Sequence, residues 1–333
     1  MDKATKSLLE LVDASGRNVA VRLASEAGIS RQAASTRLRA AIQNNLIVMQ
    51  GVGRGVEYRL ATSTEFVRHF ERAHLSEDHV WRQTIAPVMA DLPENVRSIW
   101  QYGITEMVNN AIDHSGGASI AVGIRRNALH TEAWVADDGD GIFVKIQKAL
   151  DLFDPREAIL ELAKGKFTTD PLNHTGEGIF FSSRMFDGYE IRSGNLRFFH
   201  DSEQDDWLIE QPENTPGTLV GMRLANDAAR TSKEIFDKFA APDEYTFAET
   251  IVPVRLGQYE GEALVSRSQA KRLIFRFEKF KTVILDFTGI AEIGQAFSDE
   301  VFRVFQKAHP ETKLVPINMT AAVNRMVARA RAA

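Results

Sequence analysis

The sequence predicts a multi-domain α/β protein, on three observations. The chain has 333 residues, more than one ordinary hydrophobic core serves, so two or three domains are expected. Hydrophobic residues make up 44% and charged residues 26%, the balance of a folded globular chain. Charge is unevenly spread: residues 1–60 hold nine Lys/Arg against five Asp/Glu, and the rest of the chain 31 against 40. A small basic head on an acidic body suggests a nucleic-acid module joined to something else. Cysteine is absent from the sequence, which excludes disulfides, thiol nucleophiles and Cys-ligated zinc. No apolar run reaches the length of about 18 residues that a membrane span needs, and the first residues lack the pattern of a secretory signal. A cytoplasmic protein is expected.

The first element is a short helix over residues 5–14, stopped near Gly16, followed by a second over 19–27. Gly28 allows a tight turn, and Ser30 is placed to cap a third helix from Arg31 to about Asn45. Helix, Gly-containing turn, helix is the helix-turn-helix pattern. Ala34, Leu38 and Ala41 share one face of the third helix. Arg31, Gln32, Thr36, Arg39 and Gln43 are its polar candidates for base edges and phosphates. LIVMQGVGRGVEYRL then reads as two strands around Gly51, Gly53 and Gly55, with Arg54 at the tip. This hairpin resembles the wing of a winged helix-turn-helix domain, placed at residues 1–62, and DNA is the expected partner. The alternative is a small helical module that binds protein only.

Residues 63–92 are rich in charge and read as a helical linker carrying His69, His74 and His79. A phosphoacceptor role for these histidines is disfavoured, because the usual His–acid–Arg–Pro context is missing. Solvated histidines are the plainer reading.

The segment VRSIWQYGITEMVNNAIDHS is the most informative. Ile104, Met107, Val108, Ala111 and Ile112 form an apolar helical face, and Glu106, Asn110 and Asp113 form one polar stripe. Asn109 and Asn110 are mediocre helix formers, so their mid-helix place makes sense if they coordinate something. A hairpin follows and ends in Asp137-Asp138-Gly139-Asp140-Gly141. Further on come Lys164-Gly165-Lys166-Phe167-Thr168-Thr169, then His174-Thr175-Gly176-Glu177-Gly178, then Gly217-Thr218. Glycines opening a helix offer free backbone N–H groups to phosphates.

Each motif alone is weak, but their order resembles the ATP-binding domain of the gyrase, Hsp90, histidine-kinase and MutL (GHKL) superfamily, placed at residues 93–230. The resemblance implies a Bergerat-type α/β sandwich, with a mixed sheet covered by helices on one face. It also implies ATP and Mg²⁺ as cofactors. Asn110 would hold the Mg²⁺, with Asp113 on the same stripe of the ATP site. Asp137 would accept the adenine amino group, supported by Thr218. Gly139 and Gly141 would form the adenine-side turn, and Gly176 and Gly178 would wrap the phosphates under a lid of about residues 160–178. Glu106 would orient and deprotonate the attacking water. Lys164 and Lys166 on that lid would neutralise phosphate charge, or else be simply solvated.

Beyond an acidic stretch near 237–246, strands at 249–257, 282–288 and 312–317 alternate with helices at 264–280, 295–308 and 319–332, which suggests a small α/β unit. Leu285-Asp286-Phe287-Thr288-Gly289-Ile290 resembles the STAS fold of anti-anti-sigma factors. The whole of 245–333, with SRSQAKR and IGQAFSDEVFRVF, is similar to the STAS-like DUF4325 domain. The serine that STAS regulators phosphorylate is missing: Gly294-Gln295-Ala296-Phe297 stands there, with Ser298 shifted.

The expected function is a DNA-binding transcriptional regulator switched by Mg-ATP binding and slow hydrolysis, as a homodimer, with a protein partner for the STAS-like unit. The alternatives are an anti-sigma-type serine/threonine kinase, a non-hydrolysing ATP-binding interaction protein and, last, a histidine kinase.

Overall fold

The computed structural model describes residues 1–167, 176–201, 204–240, 247–258 and 262–332, without the side chains of Arg54 and residues 204–206. The chain is a mixed α/β protein, with three sheets among the described residues.

The amino-terminal region holds α1 (Lys3–Ala14), α2 (Val19–Ala27) and α3 (Arg31–Gln43), then β1 (Ile47–Gln50) paired antiparallel with β2 (Glu57–Leu60). Ser30 caps α3 as expected, its hydroxyl accepting from the Ala33 N–H at 3.1 Å. Leu8, Leu9, Val19, Leu23, Ala34, Leu38 and Ile47 close a small core of their own. Ala128 and Leu129, from a later hairpin turn, pack against it. Asp13 pairs with Arg223 at 2.9 Å and Lys6 with Asp227 at 2.6 Å. The helical head is therefore docked on the body through α1.

Residues 64–71, expected as part of a helical linker, form a strand instead. β3 (Thr64–Glu71) pairs antiparallel with β4 (Ser119–Arg126) along its whole length. Phe66 and Phe70 pack on the core, and Arg72 donates to the carbonyls of Gly117 at 2.6 Å and Ile112 at 2.8 Å. Phe66 and Phe70, four apart, fit a helical face and a strand face equally, and the available edge of β4 decides between them. Of the three linker histidines, His69 thus lies on a strand, while His79 lies on α4 (Glu77–Val80).

The central sheet has the order β3-β4-β5-β7-β6, with β5 at His130–Asp137, β6 at Gly188–Asp201 and β7 at Gln204–Ala225. Every neighbouring pair is antiparallel. Helix α5 (Glu94–His114) lays Ile99, Trp100, Ile104, Met107, Val108 and Ala111 into one core with Ile120, Val122, Val135, Ile191 and Met222 of the sheet. Trp100 is fully buried, edge-on to Phe186 with ring centroids 4.8 Å apart. Such a side chain stabilises the fold by roughly 2–3 kcal/mol through burial alone. Around this pair lie α6 (Ile142–Leu150), α7 (Glu157–Lys164), α8 (Gly178–Met185) and α9 (Ser232–Phe239).

The carboxy-terminal region has a parallel sheet of order β10-β9-β8. Its strands are β8 (Glu249–Pro253), β9 (Thr282–Asp286) and β10 (Lys313–Ile317). Helices α10 (Arg267–Ile274), α11 (Gln295–Asp299), α12 (Gln306–Ala308) and α13 (Ala321–Ala332) complete it. Parallel neighbours require crossovers, and α10 and the α11–α12 run supply them. Ser266 caps α10 reciprocally with Gln269. The helix expected over 264–280 ends at Ile274, because Phe275 turns to ψ 127° and leaves the helical conformation, and Arg276 follows in a left-handed one at φ 66°. The core of this region is continuous with that of the central sheet, through Phe180, Phe181, Phe239, Phe247 and Phe280. No helix among the described residues is long and apolar enough to cross a membrane.

Candidate functional site

Helix α5 runs along one wall of a cavity of about 400 Å³. A four-residue step returns a helix to the same face, so Glu106 and Asn110 both line it, followed by His114. The Asn110 side chain makes no hydrogen bond among the described residues, so its amide remains available to a ligand.

The opposite wall comes from the sheet. Asp137 ends β5 and is paired in register with Thr218 of β7. Asp137 Oδ1 accepts from the Gly139 N–H at 2.9 Å and the Thr218 N–H at 3.3 Å. Among the described residues its Oδ2 accepts nothing. Burial raises the Asp137 carboxyl above its ordinary value, and the two backbone bonds only partly oppose this. Thr218 Oγ1 accepts from the Ile142 N–H at 3.0 Å, which fixes the start of α6. Gly217 makes this approach possible: its φ of 61° suits glycine, and an added Cβ would collide with the Asp137 carbonyl.

The third wall is α7, the turn after it and the start of α8. Leu162, Phe167, Gly176, Glu177 and Gly178 line it. Gly178 sits against the Glu106 carboxylate, where a Cβ would collide with Oε2.

The structure thus gathers Glu106, Asn110, Asp137, Gly141, Gly176, Gly178 and Thr218 around one cavity. Gly139 is set back from it, supporting Asp137 through its N–H. Asp113 is exposed at the surface of α5 and does not line the cavity.

Lys164 and Lys166 require correction. Lys164 is fully buried, bound to Glu161 at 2.5 Å and to the Phe275 carbonyl at 2.8 Å, away from the cavity. Lys166 donates to the Lys279 carbonyl at 3.0 Å and lies over the rings of Phe247 and Phe280. Both ammonium groups turn towards the carboxy-terminal region, because aromatic rings and carbonyls there supply what water would otherwise. The remainder of the expected lid, including Thr168, Thr169, His174 and Thr175, lies outside the described residues.

Lys145 is a residue that the sequence reading missed. It lines the cavity, donates to the His114 carbonyl at the end of α5 and lies 3.6 Å from Asp140. Its position three residues after Ile142, on the first turn of α6, was the available signal.

On α3, Gln32, Thr36, Arg39 and Gln43 are exposed opposite the buried Ala34, Leu38 and Ala41, while Arg31 is exposed at the start of the helix on the side of Ala34 and Leu38. Thr36 Oγ1 donates to the Gln32 carbonyl at 3.0 Å, and Arg39 to that of Ser35 at 3.3 Å. The Arg54 side chain lies outside the described residues. Ser298 is buried, its hydroxyl donating to the Met326 carbonyl at 2.9 Å.

Residues 269–324 match a STAS-like domain of unknown function (DUF4325). The STAS-like segment starts within α10, includes β9 and β10 and ends in α13. No curated protein matches the sequence.

Proposed function

We propose that this chain is an ATP-binding regulator whose amino-terminal region reads DNA. The observation that carries the nucleotide reading is the convergence of Glu106, Asn110, Asp137 and Thr218 on one cavity within the 300–1,000 Å³ range of ligand sites. The donor set fits an adenine nucleotide with Mg²⁺. Asp137, half-buried, offers its Oδ2 to an exocyclic amino group. Asn110 offers one amide oxygen to a magnesium ion that keeps its other positions for phosphates and water. Glu106, held against Gly178, would take a proton at its carboxylate from a water or hydroxyl. ATP, when bound, supplies the phosphoryl group whose hydrolysis resets the state. The order of motifs and this arrangement favour kinship with the GHKL ATPases.

The DNA reading is supported by the exposed polar face of α3, by the basic balance of residues 1–60 and by the winged-helix-like hairpin of β1 and β2. Docking through α1 leaves that face free. A homodimer would present two such faces to paired half-sites, and the STAS-like segment would meet a protein partner.

The test is ADP and ATP binding with Mg²⁺, phosphate release, and DNA binding with and without ATP. Binding and release by the wild type, with release lost in Glu106→Ala and Mg²⁺-dependent binding lost in Asn110→Ala, bear the reading out. Transfer of phosphate to a partner's hydroxyl in place of release would make the protein a kinase. No nucleotide binding at all would overturn the central claim.

A further inference from the structure

Helix α7 has two working faces. Leu162 lines the cavity, while Glu161 and Lys164 are buried on the other side, at 2% and 0% exposure. Glu161 divides its carboxylate between two cations: Oε1 accepts from Lys164 Nζ at 2.5 Å, and Oε2 from Arg276 Nη1 at 2.9 Å. Arg276 belongs to the STAS-like segment and is 6% exposed. Its Nη2 donates to the Lys166 carbonyl, and its guanidinium lies 5.4 Å from the centroid of the Phe167 ring.

The Lys166 carbonyl and the Phe167 N–H belong to one planar peptide group. Arg276 holds the carbonyl edge. The N–H edge donates to the Gly176 carbonyl at 3.2 Å. Phe167 and Gly176 both line the cavity. A single guanidinium therefore fixes a helix, a peptide plane and an aromatic ring that together make one cavity wall. Lys166 and Arg276 are both non-glycine residues at positive φ, 53° and 66°. Such conformations persist where the surroundings over-determine them.

We propose that Arg276, although outside the cavity, is a positioning residue for it, so that the STAS-like segment sets the affinity of the nucleotide site. The proposal rests on the nucleotide reading above. Binding energy and docking of the two regions are then linked reciprocally.

The experiment is calorimetric binding of ADP with Mg²⁺ to the full chain, comparing wild type with Arg276→Met, Arg276→Lys, Phe167→Leu and the Arg276→Met/Phe167→Leu double variant. Asp137→Asn, a change within the cavity itself, serves as the control with weakened binding. Arg276→Met is expected to weaken ADP about tenfold, within the usual range of site coupling. Arg276→Lys recovers part of this, since an ammonium keeps the Glu161 pair without the planar fork. The double variant loses less than the two single losses multiplied, because both act on the same wall. Wild-type affinity in Arg276→Met while Asp137→Asn binds more weakly overturns the positioning role alone, as do independent losses in the double variant. Failure of wild type to bind ADP overturns the nucleotide reading, and the positioning role with it. Hydrogen exchange on wild type covers the case in which Arg276→Met fails to fold: ADP should slow amide exchange at residues 275–279, and unchanged exchange there overturns the proposal.

Discussion

Asp137 and Thr218 face each other across the β5–β7 ladder, and the Thr218 N–H donates to the carboxylate opposite it at 3.3 Å. The pair does two things. It holds Asp137 Oδ1 by backbone groups alone, and through Thr218 Oγ1 it anchors the first residue of α6. A carboxylate so placed is aimed by the sheet rather than by neighbouring side chains, which makes it a rigid acceptor.

Asp137→Asn should separate stability from binding. Burial raises this carboxyl, so its stabilising contribution is present below the ordinary carboxylate value and is lost as pH rises through the raised one. Above that range the ionised group is a burden on the apo protein. Asparagine keeps an Oδ1 acceptor for Gly139 and Thr218 and removes the charge. Its Tm at neutral pH is expected above wild type, while ADP affinity falls about tenfold or more, the scale of one mismatched buried hydrogen bond. Wild-type affinity should also weaken as pH falls through the raised value. A variant with lower Tm and unchanged affinity would contradict both halves.

Gly178→Ala places a Cβ against Oε2 of Glu106. The carboxylate must move, while the rest of α8 keeps its packing through Phe180, Phe181 and Met185. Phosphate release should fall by roughly 10²-fold, the lower range for loss of a general base. ADP affinity should change much less. Equal losses in both would mean that Glu106 is not the group affected.

Much of this architecture was legible in the sequence. The cap Ser30, the four-residue step from Glu106 to Asn110, and the alternation through 119–137 are local signals, and each element forms where they lie. What was not legible depends on distant partners. TEFVRHFE becomes a strand because β4 offers an edge. The lysines of KGKF turn away from the cavity because Phe275, Phe280 and the Lys279 carbonyl stand behind them. No spacing rule within residues 160–178 reports a side chain more than a hundred residues away.

Lys164→Met tests that correction. A solvated or phosphate-facing lysine would be dispensable for folding. Removing a fully buried ammonium leaves Glu161 with Arg276 alone and the Phe275 carbonyl without its donor. Breaking one partner of a buried ionic set destabilises by about 3–5 kcal/mol. Urea unfolding should show this as a lower midpoint with an unchanged slope. A midpoint equal to wild type would mean that Lys164 is not held as described.

The DNA reading predicts a graded response along α3. Arg39 is exposed on the polar face and Arg31 at the start of the helix, and neither forms an ion pair among the described residues. If each neutralises one phosphate, replacing either with alanine should weaken binding similarly on all sequences and lower the slope of log K against log salt by about 1. Gln32→Ala should instead relax discrimination at one base pair, worth roughly 1–3 kcal/mol, and leave the salt slope unchanged. Fluorescence anisotropy on duplexes across a range of salt concentrations distinguishes the two behaviours. Binding that is insensitive to salt and to all three substitutions would assign this head to protein partners.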